Sequence, residues 1–307
     1  MPKKNLPAIA PALAYFACRL FFMALFHPPK PFFLRIGNQL FDLQEPRIMG
    51  ILNVSDDSFY SGSRALNENE LLKKAGKMLS EGACFLDIGA ASSRPGAVLQ
   101  SAVDEWALLG PALKAVKKHF PEAMISADTF RSEIARQAIE EGADIINDIS
   151  GGLFDENIFQ TVAKARKVLI LMHIKGTFET MHQPYSYSDI AVEVVSDLKK
   201  QIEKARKAGF SDIVADPGFG FSKKGAQNFE LLASLANLQH LECPVLAGIS
   251  RKSMVHKTLN VNPESALNGT TALHMIALQN GARILRVHDV KEAAECITLF
   301  KQICLPE

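Results

Sequence analysis

The chain has 307 residues, 48% of them hydrophobic, and a formal net charge of +1. That is enough apolar material for a large core, in one big domain or two ordinary ones, and the balanced charge leaves no bulk electrostatic case for nucleic acid or an anionic membrane as partner. The five cysteines, Cys18, Cys84, Cys243, Cys296 and Cys304, are odd in number and lack CxxC spacing, which argues against a disulfide framework and for reduced thiols in a cytoplasmic protein.

The first stretch, "MPKKNLPAIAPALAYFACRLFFMALFHPPKP", has a basic start and then an apolar run broken by Pro7, Pro11 and Arg19. A signal peptide, a membrane-surface segment and a translated leader all fit its composition. It is a poor membrane span, because an arginine at mid-membrane is costly and the prolines interrupt the run. We take residues 1–30 as an extension outside the folded domain, with Met23 as an alternative start, and residues 31–307 as one domain.

"FFLRIGNQLFDL" (Phe32 to Leu43) reads as a hairpin turning at Gly37-Asn38. Eight short apolar runs then alternate with longer amphipathic segments: "RIMGILN", "CFLDIGA", "MISADT", "DIINDIS", "VLILMHI", "DIVADPG", "VLAGISR" and "RILRVHD". The runs lack a clean polar alternation, as expected of strands buried on both faces. Gly82, Gly142, Gly209 and Gly281 each stand between a helical segment and a strand, where a left-handed residue ends the helix. Strand, helix and glycine stop, repeated along the chain, predict a (β/α)8 barrel. A doubly wound open sheet is the alternative, but its GxGxxG turn is absent.

In a barrel the carboxyl ends of all eight strands share one rim, where such folds carry their chemistry. Here the ends carry Asn53, Asp87, Asp128, Asn147, Met172 with His173, Asp216, the "SRK" of Ser250 to Lys252, and Arg286 with His288. One such residue alone is best explained as a turn or cap residue. The full set is not. Asp128, Asn147, Asp216 and Lys252 offer acceptors, an amide and an ammonium, which suits a flat heterocycle with N–H donors and ring acceptors. Asn53, Arg94, Arg286 and His288 suit a phosphate or pyrophosphate.

"MGILNVSDDSF", "DIGAASSRPGA", "SADT", "IINDI", "LMH", "DPGFGF", "SRKS" and "RVHDV" stand in the order and spacing of dihydropteroate synthase, a family this chain resembles from about Phe32 onward. The resemblance implies a (β/α)8 barrel. It also implies condensation of 6-hydroxymethyl-7,8-dihydropterin pyrophosphate with p-aminobenzoate, with Mg2+, in folate biosynthesis, and a sulfonamide target. It assigns the pterin ring to Asp128, Asn147, Asp216 and Lys252, with Met172 beside them. It assigns Mg2+ or the pyrophosphate to Asn53, and the pyrophosphate to Arg286 and His288. Ser93, Arg94 and Pro95 match the family's Thr-Arg-Pro loop, and Phe221, Ser250, Lys252 and Pro95 would flank p-aminobenzoate. Arg286, His288, Lys252 and Arg94 carry catalysis on this reading. Gly218 and Gly220 are expected to let the backbone pass close to the pterin, and Phe219 to be core packing. The sequence gives no oligomeric state, but members of the family are often dimers.

Two mobile loops are expected to exclude water, at about Ser55 to Leu66 and Ala91 to Ser101, and both depart from the family pattern. Ser55, Asp56, Ser61 and Ser63 replace Thr, Pro, Asp and Gly, and Ala91 replaces a Glu. These changes bear on turnover and p-aminobenzoate affinity rather than on the pterin. Three rival readings follow: a methyltetrahydrofolate methyltransferase, which needs no anion site; a pterin-binding paralogue without synthase activity; and a membrane-anchored form resting on the leader alone.

Overall fold

The computed structural model describes residues 31–54, 64–90 and 99–304. The expected hairpin forms from β1 (Phe33–Ile36) and β2 (Gln39–Asp42), with Gly37 at φ +60° in the turn. Eight parallel strands then close a barrel: β3 (Arg47–Asn53), β4 (Phe85–Gly89), β5 (Met124–Asp128), β6 (Ile145–Asp148), β7 (Val168–Met172), β8 (Ile213–Asp216), β9 (Val245–Ala247) and β10 (Ala282–Val287). They are the eight apolar runs of the sequence, in chain order, and β10 pairs with β3 to close the ring. Around them lie α1 (Arg64–Ser80), α2 (Ala102–His119), α3 (Ser132–Glu140), α4 (Asn157–Lys164), α5 (Ile190–Lys207), α6 (Gly225–Ala233), α7 (Ser253–His256), α8 (Leu267–Gln279) and α9 (Val290–Cys304).

The strand period of two divides each strand between two cores. Ile48, Leu52, Leu86, Ile88, Ile125, Ala127, Leu169, Leu171 and Leu285 face outward and pack under the helices. Met49, Phe85, Ile145, Val168, Ile170, Val214, Leu246 and Ile284 face inward and fill the amino-terminal half of the barrel. The hairpin seals that floor with Leu34 and Leu43, and Phe41 meets Phe85 edge-on at 5.2 Å. Burial on both faces explains why the runs showed no alternation.

The helices begin and end as their sequences dictate. In α5, Asp189 caps the first turn by accepting from Val192 N–H at 3.0 Å, and Ile190, Val194, Leu198 and Ile202 form the buried stripe. The four glycines expected to stop helices, at 82, 142, 209 and 281, have φ of +105°, +97°, +102° and +97°. Among the described residues no helix is long and apolar enough to cross a membrane. Residues 1–30 lie outside the described residues, as do the cores of the two loops, 55–63 and 91–98.

Candidate active site

Above the apolar floor the inward-facing positions become polar, and the barrel's closure brings them together. Asp87 of β4, completely buried, is the centre. Its Oδ1 accepts from Ser126 Oγ of β5 at 2.6 Å. Its Oδ2 accepts from Asn147 Nδ2 of β6 at 3.1 Å and from Arg286 Nε of β10 at 2.6 Å. Arg286 also donates from a terminal nitrogen to Asp128 Oδ2 of β5 at 2.8 Å. The glycine that ends β4, Gly89, makes room for this: a Cβ there would stand 3.0 Å from Asp128 Cβ.

The electrostatics follow from one buried and one partly buried carboxylate around one guanidinium. Burial, and then the neighbouring Asp87, push the Asp128 pKa well up, against the pull of Arg286. Burial alone would lower the Arg286 pKa, but Asp87 and Asp128 more than offset it and hold the guanidinium charged. The sequence grouped Arg286 with His288 as anion donors. The geometry instead ties its donors to Asp87 and to Asp128 of the ring set, so Arg286 joins the two groups.

A second pair stands across the rim. Asp216 Oδ1 accepts from Gly218 N–H at 2.7 Å, and burial raises its pKa while Lys252 opposes the rise. Lys252 donates to the Phe219 carbonyl, and its ammonium lies 4.8 Å from the centre of the Phe221 ring. Burial lowers the Lys252 pKa to about 8, with Asp216 acting the other way. Lys252 Nζ and Asp216 Oδ2 converge over Gly248, within 3.7 and 3.9 Å of where a Cβ would be. Met172, buried, is the register partner of Asp216 on the next strand.

Ser250 and His288 form a third contact, between the ends of β9 and β10. The Ser250 hydroxyl accepts from His288 N–H at 3.2 Å and lies 3.1 Å from His288 Nδ1. Donation of the hydroxyl proton to Nδ1 leaves the proton of a neutral ring on Nε2. Asn53 stands exposed at the end of β3. Arg251, between Ser250 and Lys252, is held by a bidentate ion pair with Asp289. Ser93, Arg94 and Pro95 lie outside the described residues.

The loop after β8 needs its glycines for contacts within the protein. Gly218 (φ +69°) is needed because a Cβ would fall 2.0 Å from the His173 carbonyl, and a Cβ at Gly220 would fall 3.2 Å from the Lys252 side chain. The close approach is therefore to the protein's own β7 end and to Lys252. Phe219 is fully buried in the outer core, as its packing role requires, whereas Phe221 joins Phe130, Met172, Phe178 and Met181 in a small rim cluster and stacks on His182 at 5.0 Å.

Sequence reasoning noted Asp87 at its strand end but gave it no place in the site. The available signal was its phase: Phe85, Asp87 and Gly89 share the inward face. Lys223, buried behind the loop, carried no signal beyond being a lysine after "DPGFGFS".

Residues 49–288 match the family model described as pterin binding enzyme. The dihydropteroate synthase of Escherichia coli K12 is 40% identical over 262 residues, covering 85% of this chain and 92% of that protein. The dihydropteroate synthase of Synechocystis is 39% identical over 274 residues, covering 88% of this chain and 93% of that protein. Among solved structures, Xanthomonas albilineans dihydropteroate synthase with 4-aminobenzoic acid superimposes with a TM-score of 0.83 at 34% identity, over 91% of this chain and all (100%) of that one. The Yersinia pestis enzyme in complex with a sulfonamide drug gives 0.81 at 38% identity, over 88% of this chain and 98% of that one. An eight-stranded barrel with a buried carboxylate, amide and guanidinium network at its carboxyl rim, matched in sequence and in structure, places this chain in the pterin-binding enzyme family, among the dihydropteroate synthases.

Proposed function

We propose that this enzyme joins 6-hydroxymethyl-7,8-dihydropterin pyrophosphate to p-aminobenzoate, giving 7,8-dihydropteroate and pyrophosphate, and that the rim residues divide the work as follows. The observation that carries the reading is the network of Asp87, Asp128, Asn147 and Arg286, with Asp216 and Lys252 opposite. It presents carboxylates and an amide, held in fixed orientation, to a flat ring bearing N–H donors and acceptors. Ring recognition falls to Asp128, Asn147, Asp216 and Lys252. Met172 supplies an apolar contact beside them.

The reaction breaks the C–O bond to pyrophosphate and forms a C–N bond to the arylamine, which loses a proton. The electron-rich pterin stabilises the cation at the reacting carbon, so no side-chain nucleophile is required. The protein's part is to stabilise the leaving anion and to keep water from the cation. His288, oriented by Ser250, and Arg286, held charged between Asp87 and Asp128, are the donors for that anion; Arg94 would join them from its loop. Phe221, Ser250, Lys252, Ser93 and Pro95 would flank p-aminobenzoate.

For Mg2+, no group of three or more His, Cys, Asp or Glu among the described residues could hold an ion. The exposed amide of Asn53 is one neutral oxygen, which fits an ion carried mainly by pyrophosphate oxygens and water. Such an ion would neutralise charge on the leaving group. The same proposal includes a cytoplasmic location and a homodimer. The absence of CxxC spacing and the unpaired state of Cys84, Cys243 and Cys296 support the first.

Incubating the purified protein with the pterin pyrophosphate and p-aminobenzoate should yield dihydropteroate. Tight pterin binding with no product would favour the paralogue that binds without turning over.

A further inference from the structure

The turn that follows β8 is held by a buried lysine that the proposed chemistry does not use; burial lowers its pKa to about 7, with Asp216 acting the other way. Lys223 is only 7% exposed. Its Nζ donates to the carbonyls of Gly218 and Phe221, each at 2.9 Å, and lies 3.2 Å from His173 Nδ1. Three acceptors match the three N–H donors of an ammonium. His173 Nε2 faces Asp197 Oδ2 of α5 at 3.4 Å. A carboxylate can only accept, so Nε2 carries the ring proton and Nδ1 is left to accept from Lys223. Burial lowers the His173 pKa to about 4, so the ring is neutral near pH 7. Asp197 is fixed in turn by Lys175 at 2.6 Å and Lys200 at 3.1 Å.

We propose that Lys223 is a positioning residue for the synthase reaction: with His173 and Asp197 it clamps the Gly218–Phe221 turn, and the turn sets where Lys252 and Phe221 stand beside p-aminobenzoate. The inference rests on the synthase reading. Phe221 N–H closes the turn on the Gly218 carbonyl at 3.1 Å, and the Lys223 ammonium grips that same carbonyl and the carbonyl of Phe221. Between them, the Phe219 carbonyl accepts from Lys252, and Gly220 N–H donates to Asn228 Oδ1 at 2.7 Å. Lys252 and the Phe221 ring are thus both referenced to a turn whose Gly218 and Phe221 carbonyls end on Lys223. Packing alone does not call for this residue. Burying an ammonium is costly, and an apolar side chain would fill the same volume without that cost.

The test begins with the parent protein, whose formation of dihydropteroate checks the synthase reading separately. Lys223→Met should then raise KM for p-aminobenzoate about tenfold or more, while the Kd for a bare pterin, held also by Asp128 and Asn147 on other strands, rises by a smaller factor. Asp197→Asn, which loosens His173 from outside the active site, should raise the same KM by a smaller factor. It decides the matter if Lys223→Met does not fold. An unchanged KM for p-aminobenzoate in both variants overturns the proposal. So does a fall in kcat, pterin affinity and Tm together without a selective change in that KM, which is the mark of a general structural loss.

Discussion

Phe85, Ile145, Val214 and Ile284 point into the floor of the barrel, and two residues further along the same strands Asp87, Asn147, Asp216 and Arg286 point into its mouth. Backbone, register and direction are shared, so the difference lies in the side chains alone. The floor is closed by hydrocarbon and a hairpin, an arrangement that stabilises and does little else. The mouth holds acids and bases out of bulk water in contacts that cost free energy unless every member is paired. The floor offsets that cost, and the two ends should therefore fail in different ways.

The largest effect is expected at the mouth. Arg286→Met would leave Asp87 and Asp128 buried beside each other without their cation. Breaking such a pair should cost about 3–5 kcal/mol of stability. The kcat/KM for the pterin pyrophosphate should fall by roughly two orders of magnitude or more. Because Arg286 now holds down the already raised Asp128 pKa, its loss should let the carboxylates take up a proton, and the stability deficit should shrink as the pH is lowered. Denaturant melts at several pH values and steady-state kinetics with the pterin pyrophosphate measure the two effects, and calorimetry with a bare pterin separates the ring from the anion. Undiminished affinity for the bare pterin would remove Arg286 from the ring pocket and return it to the anion alone.

Phe85→Ala is the matching change at the floor. It removes a fully buried ring from contact with Phe41 and should cost about 3–5 kcal/mol of stability. Turnover per folded molecule should be unchanged. A variant as stable as the parent but slower would show that the two ends are not separable.

Asn147→Ala and Asp216→Ala come next. Each removes one partner of the proposed pterin edge and should weaken binding by about 1–3 kcal/mol, more where the lost bond is charge-assisted. Calorimetric titration with a pterin checks this, and unchanged affinity in either variant takes that residue out of the pocket.

The barrel itself was legible because eight buried strands leave eight apolar runs, and glycines at φ near +100° leave helix stops. The site was half legible. Terminal residues such as Asp128 and Asp216 announce themselves at the end of a run. Asp87 sits two residues inside one, and its role depends on meeting Arg286, 199 positions away, across β3 when the ring closes. Local sequence carries no trace of such a meeting. Lys223 was hidden for the same reason, since His173, its partner, is 50 positions distant.

A smaller effect distinguishes the mouth by its response to pH. Burial brings the Lys252 pKa down from 10.5 to about 8. Between those values the folded chain has shed a proton that the unfolded chain keeps, so on this account stability rises with pH through that window. Activity should move the other way, because the ammonium that holds the Phe219 carbonyl is lost, and kcat/KM should drop by about tenfold per unit above the pKa. Lys252→Met should abolish that limb of the profile. A profile flat to pH 10 would show that the charge on Lys252 is not used.

The smallest effect is expected from removing residues 1–22. The floor is already closed by residues within the hairpin: Leu34 is 1% exposed, Leu43 is 0%, and the Leu43 N–H donates to the Phe32 carbonyl at 2.9 Å. The family match lies within residues 49–288, and the match to the Escherichia coli synthase spans 92% of that protein while using 85% of this chain. Deleting residues 1–22, to start at Met23, should therefore leave Tm, kcat and both KM values as they were. Thermal melts and steady-state kinetics on the two forms decide it. A lower Tm would mean that the leader adds to the floor, and a changed KM at equal Tm would mean that it reaches the mouth.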